Sequence, residues 1–142
     1  MNDPSIILPA ITTAIPVLLV AWQLLRTHRQ GVTEFEDALS REYRELAATI
    51  PTGAFLGEEL SRQEYEANLD KFYHYFDLSN EQAFLHEQKR VRASTWKFWK
   101  DGVASNLKRP AFKRAWSEVC HRCSDFAELR ALFPPDPGAE SQ

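Results

Sequence analysis

Cys120-His121-Arg122-Cys123 is the part of this chain that looks most like a chemical motif. A C-x-x-C pair can bind metal or carry thiol–disulfide exchange. A structural zinc site takes four ligands, and the chain holds two cysteines in all. No His follows Cys123, so the spacing is not that of a c-type haem attachment. Both thiols fall on the apolar stripe of an amphipathic helix, where free cysteine behaves as a small buried hydrophobe. The four histidines (His28, His74, His86 and His121) show no H-x-x-x-H spacing. There is no G-x-S-x-G and no phosphate loop, and only five glycines are available to build a cradle. The residues support no catalytic, metal or cofactor assignment, and the chain reads as a non-enzyme. An enzyme using Cys120 and Cys123 is the third reading.

Asn80-Glu81 offers a different chemistry. Asn80 continues the apolar stripe of its helix, where a polar side chain is costly unless hydrogen-bonded. It either fixes how two helices register, as a buried Asn does in coiled coils, or binds a ligand together with Glu81 and His74. The ligand version is the alternative functional reading: a membrane-tethered sensor or effector, in stress or phage defence.

The third constellation is electrostatic. From Val32 to Gln88 thirteen acids face four bases. From Lys89 to Arg114 nine bases (Lys89, Arg90, Arg92, Lys97, Lys100, Lys108, Arg109, Lys113 and Arg114) face one acid, Asp101. One half of the domain is acidic and the other basic, which constrains partners more than the total of −3 does. Aromatic residues interleave with the bases, and such a pattern can track a nucleic-acid backbone or face anionic lipid. The helical wheel narrows this. Trp96, Trp99, Phe112 and Trp116 lie on inward stripes, whereas Phe98 points away from Trp96 and is expected in solvent. The basic segment is therefore read as an interaction face that includes Phe98. The expected partners are membrane lipids and a protein partner or a second copy, with nucleic acid unlikely. The acidic half docking on the basic half is the competing account.

The elements that position these groups begin with a membrane-type run. Ile6 to Leu25 contains no charge, and Arg26, His28 and Arg29 follow it. Some twenty apolar residues match the roughly 30 Å hydrocarbon core. Pro9 and Pro16 would each cost about 3 kcal/mol in a soluble helix, but membrane helices tolerate proline better. Trp22 suits the headgroup level, and the basic flank predicts a cytoplasmic C-terminal domain. Residues 1–5 are expected as a short external tail, 6–25 as a transmembrane helix and 26–32 as a juxtamembrane linker. The helical domain follows at 33–133, and 134–142 is a flexible tail. The location implied is a bacterial inner membrane with the N-terminus outside.

Within the domain, Thr33 with Glu36 makes a capping-box pattern that predicts a helix start after a break at Gly31, a continuous helix through Gly31 being the alternative, and Pro51 and Gly53 end it. Ser61 with Glu64 repeats the pattern and predicts the longest soluble helix, to about His86. A further helix starts near Ser94 or Thr95, and Pro110 suits the first turn of another. A final turn runs from Phe126 to Leu132. No run alternates like a strand. The fold class is all-α: one N-terminal transmembrane helix followed by a four- to five-helix cytoplasmic bundle.

Tyr75-Phe76, Leu78, Asn80-Glu81 and Leu85 precede a W-x-x-W-x-x-G element (Trp96, Trp99, Gly102). An N-L-x-R-P-x-F-x-x-A-W element (Asn106 to Trp116) follows. This stretch, about a third of the chain, resembles a family of small uncharacterised bacterial proteins with one N-terminal membrane helix and a helical cytoplasmic domain. The resemblance implies topology and fold and carries no activity.

Overall fold

The computed structural model describes residues 7–136, with side chains from Val17 onward. Six helices appear among them: α1 (Ile7–Ala47), α2 (Thr52–Leu56), α3 (Arg62–Glu87), α4 (Ala93–Leu107), α5 (Pro110–Arg122) and α6 (Ala127–Leu132). No strand occurs among the described residues, so the protein is all-α. The chain divides into two compact units between Asp37 and Ala38.

In the first unit, the expected helix start at Thr33 is corrected. α1 is helical through Gly31 and through the whole of 26–32. The Thr33 hydroxyl donates back to the Arg29 carbonyl at 3.0 Å instead of capping forward. Ser and Thr make this back-bond when they sit inside a helix. The physical reason is cooperativity. Once a long helix is under way, propagation adds one bond per residue and carries through a single glycine, which costs only about 1 kcal/mol.

The second unit is built around α3. Its N-terminus carries the capping box that Ser61 and Glu64 predict: the Glu64 amide donates to Ser61 Oγ at 3.3 Å, and the Ser61 amide donates to Glu64 Oε2 at 3.1 Å. At its far end the chain turns through Lys89 at φ 56°, with Arg90 N–H donating to the Leu85 carbonyl and Lys89 N–H to that of His86. Glycine usually occupies this left-handed position, so a lysine there is strained.

Pro110 opens α5 as its first residue, as expected. α6 starts one residue after Phe126. Leu69, Phe72, Tyr75 and Phe76 of α3 meet Phe112, Ala115, Trp116 and Val119 of α5 in one apolar cluster. Phe112 is its hub, with ring centroids 5.0 Å from Phe72, 5.1 Å from Tyr75 and 5.1 Å from Phe55. The end of α1 joins through Tyr43, Leu46 and, just beyond it, Ile50.

α2 was not legible in the sequence. It is five residues long and has no periodicity to display. Proline before it and Gly57 after it define it; Gly57 adopts φ 83° and closes it with the Glu58 amide on the Gly53 carbonyl at 2.9 Å. Its Phe55 covers Phe112 and lies 6.0 Å from the Arg109 guanidinium.

Candidate functional site

Three sets of residues were singled out for chemistry, and the fold treats each differently. Asn80 is structural. Its amide Nδ2 donates to Glu128 Oε2 at 2.9 Å, and its Oδ1 accepts the Leu129 amide at 2.9 Å. Both polar ends thus hold the first turn of α6 against α3, which is the register role. Glu81 and His74 both face solvent. They lie two turns apart on α3, about 10 Å by helix rise, so the three residues do not converge on one ligand.

The C-x-x-C pair closes the end of α5. Both thiols are free and half-buried. Cys123 Sγ donates to the Val119 carbonyl at 3.3 Å. The Arg130 guanidinium of α6 donates to the Cys120 carbonyl at 3.1 Å and also to the Cys123 carbonyl. A cation at a helix C-terminus satisfies carbonyls that have no partner within the helix. Burial pushes the Cys120 thiol above its usual range, with Arg130 pulling weakly the other way. A protonated thiol is a poor nucleophile and a poor metal ligand. Among the described residues no group of three or more His, Cys, Asp or Glu could hold a metal ion.

The basic residues are spread over three places. Lys89, Arg90 and Arg92 form the turn between α3 and α4. Lys97, Phe98, Lys100 and Lys108 belong to α4 and its end, and Phe98 is 78% exposed. Arg109, Lys113 and Arg114 belong to the start of α5, where each has an intramolecular partner. Arg109 donates to Asn106 Oδ1. Lys113 pairs with Asp136 at 2.9 Å. Arg114 lies 3.7 Å over the Tyr65 ring. Lys97 pairs with Asp101 on its own helix at 2.6 Å. The basic segment is therefore not one face: Lys97 and Lys113 sit in exposed ion pairs on two different helices, Arg109 and Arg114 lie against the rest of the domain, and Lys100 is half-buried.

Arg114 and Tyr65 also border a half-open cleft of about 230 Å³, with Leu60, Pro110 and Ala111 beside them. The Tyr65 hydroxyl donates to Glu118 at 2.5 Å, and Arg122 pairs with the same carboxylate at 2.5 Å. Burial first, and then Glu118, pushes the Tyr65 phenol well above its ordinary range.

One buried site was read only as part of a motif. Asn106, almost fully buried, donates Nδ2 to the Tyr75 hydroxyl at 2.7 Å, with the Tyr43 hydroxyl at 3.5 Å. It links α1, α3, α4 and the start of α5. The signal that could have found it is a polar residue in phase with Trp99 and Val103, at positions 99, 103 and 106.

In the first unit, the described part of the apolar run is exposed on every side. Val17, Leu18, Leu19, Val20, Trp22, Leu24 and Leu25 are each between 55% and 68% exposed. Arg26 lies 5.4 Å over the Trp22 ring. Ile6 and the side chains of Pro9 and Pro16 lie outside the described residues. Among those described, no helix is long and apolar enough to cross a membrane.

Comparison of the chain with protein-family models, curated proteins and solved structures finds no match. Most of the W-x-x-W-x-x-G and N-L-x-R-P-x-F-x-x-A-W residues are explained by their places in the fold, Gly102 excepted. Trp99, Asn106, Phe112, Ala115 and Trp116 are buried, and Pro110 starts a helix. Such a pattern reports how the bundle is built more than what it binds.

Proposed function

We propose that this is a non-enzymatic, single-pass membrane protein whose helical domain lies in the cytoplasm and binds a protein partner or a second copy of itself. The observation that carries the reading is the uncharged run from Ile6 to Leu25, followed by Arg26, His28 and Arg29. Its described part supports this, because Val17 to Leu25 wind through more than two turns with apolar side chains exposed all round. Such a helix is stable when enclosed by apolar surroundings and not when only one face packs. The bacterial inner membrane is proposed from the basic flank and from the resemblance of the Tyr75–Trp116 stretch.

Partner binding is assigned to Lys97, Lys100 and Lys108 of α4 and its end, with Lys89 of the turn before it, set against the acidic residues of 32–88. Divided charge of this kind favours steered, salt-sensitive association. In membranes from cells expressing the full chain, carbonate at high pH should leave the protein in the pellet; release into the supernatant would remove the anchor reading. Reversing Lys97 and Lys100 to Glu should abolish low-salt capture of the partner by the detergent-extracted protein, and unchanged capture would remove the partner assignment.

A further inference from the structure

We infer that one face of α1 holds an anionic phospholipid, with Arg26 and Arg29 on its phosphate and its acyl chains along Trp22 and Leu25. The inference rests on the membrane reading above and names the lipid that the anchor selects. It starts from the end of the uncharged run. There Trp22, Leu25, Arg26, Arg29 and Gln30 line an open groove of about 560 Å³ along one side of α1. Leu18, one turn before Trp22, continues its apolar end. Leu18, Trp22 and Leu25 are each more than half exposed.

Both guanidinia of the flank are on this face. They lie about one turn apart, roughly 4.5 Å by helix rise, a spacing at which two planar donor forks reach one phosphate. Arg26 rests over the Trp22 ring at 5.4 Å. Among the described residues neither arginine pairs with a carboxylate. Neither belongs to the surface assigned to a protein partner. Thr27 and His28, between them in the chain, lie outside the groove.

The order of chemistry along the face selects the occupant. It runs from apolar at Leu18, Trp22 and Leu25, through cationic at Arg26 and Arg29, to neutral polar at Gln30. A phospholipid presents acyl chain, phosphate and polar headgroup in the same order. A soluble anion makes no use of the apolar end. A parallel second copy on this face would bring Arg26 against its own counterpart, since a two-fold contact places like residues together. With two cations at one phosphate, a headgroup that carries its own ammonium is the poorer match, so the lipid is anionic. Glu34 closes the far end of the groove, beyond both arginines.

The test uses the full chain in phosphatidylcholine vesicles holding a minor share of phosphatidylglycerol, with bromine near the top of the acyl chains of one lipid or the other. Bromine quenches an indole beside it, and Trp22→Phe gives the background from the other tryptophans. The expected result is quenching of Trp22 by brominated phosphatidylglycerol beyond its share of the lipid, by about fivefold for each arginine. The excess should be lost in a variant that exchanges neighbours, Arg26→Thr with Thr27→Arg and Arg29→His with His28→Arg, while the circular dichroism stays helical. That variant keeps every charge of the flank and moves it off the groove. Quenching in proportion to the lipid shares, or an excess that survives the exchange, overturns the inference and leaves the anchor reading standing. Quenching by neither lipid overturns it in favour of a second copy over Trp22 if carbonate leaves the protein in the pellet. If carbonate releases the protein, both readings are overturned.

Discussion

Asn106 holds more of the domain together than its size suggests. It is the partner of a buried phenol: burial, and then the neighbouring Tyr43, push Tyr75 well above its ordinary range, so the hydroxyl stays protonated and has to be hydrogen-bonded in place. Removing one partner of a buried polar group costs about 1–3 kcal/mol. Asn106→Ala should therefore lower the unfolding free energy by about that amount, seen as a lower urea midpoint with the m-value unchanged, which equilibrium unfolding followed by circular dichroism will check. Gly102 is expected to respond in the opposite direction. With open space where a Cβ would go, Gly102→Ala should stabilise the domain by about 0.5–1 kcal/mol through helix propensity and reduced unfolded-state entropy. A fall in midpoint would show that the glycine has a packing role after all. Residue-scale chemistry was only partly legible in the sequence. The cysteines, expected as buried residues on one helical stripe, are half-buried, and Cys123 lies just past the end of α5 in an extended backbone. Asn80 stood out because it interrupted a stripe, but its partners, Glu128 and the Leu129 amide, are 48 and 49 residues away. No local pattern encodes a contact at that separation.

At the scale of elements, starts and stops with a local chemical cause were readable. Ser61 with Glu64, and Pro110, each place a helix end through bonds or ring geometry contained in a few residues. Ser61→Ala should cost about 1 kcal/mol, measured by thermal or urea unfolding. The same box predicts a pH dependence. Hydrogen bonds from the Ser61 side chain and then its amide hold the Glu64 carboxyl below the ordinary carboxylate range. A depressed folded-state value contributes stability above the unfolded pKa and loses it as pH falls through the folded one. The stability difference between the wild-type chain and Glu64→Gln should thus shrink on acidification from about pH 6 to about pH 3. A constant difference would show that the carboxylate contributes nothing through this contact. The Thr33–Glu36 pattern has the same letters and no such outcome. A cap forms only where the chain leaves the helix, and the residues upstream keep it helical.

For the whole molecule, the division between Asp37 and Ala38 has a direct consequence. Every residue of the main apolar cluster, from Tyr43 to Phe133, lies after it. A fragment of residues 38–142 should therefore unfold in urea as a single cooperative transition with helical circular dichroism. A broad, non-cooperative loss of signal would show that the cluster needs the preceding helix.

The sequence by itself determined that the described chain is helical, where α3 and α5 begin, and that Trp99, Phe112 and Trp116 turn inward, while Trp96, read the same way, is only half-buried. These follow from periodicity and capping, which act over three to four residues. It also contained the charge division and the uncharged run on which the proposed function rests. Only the tertiary structure decided that Asn80 pins α6, that Asn106 joins α1, α3, α4 and the start of α5, and that Arg109, Lys113 and Arg114 find partners inside the domain while Phe98 stays exposed. Those outcomes depend on which distant surfaces meet, and spacing along the chain carries no record of that.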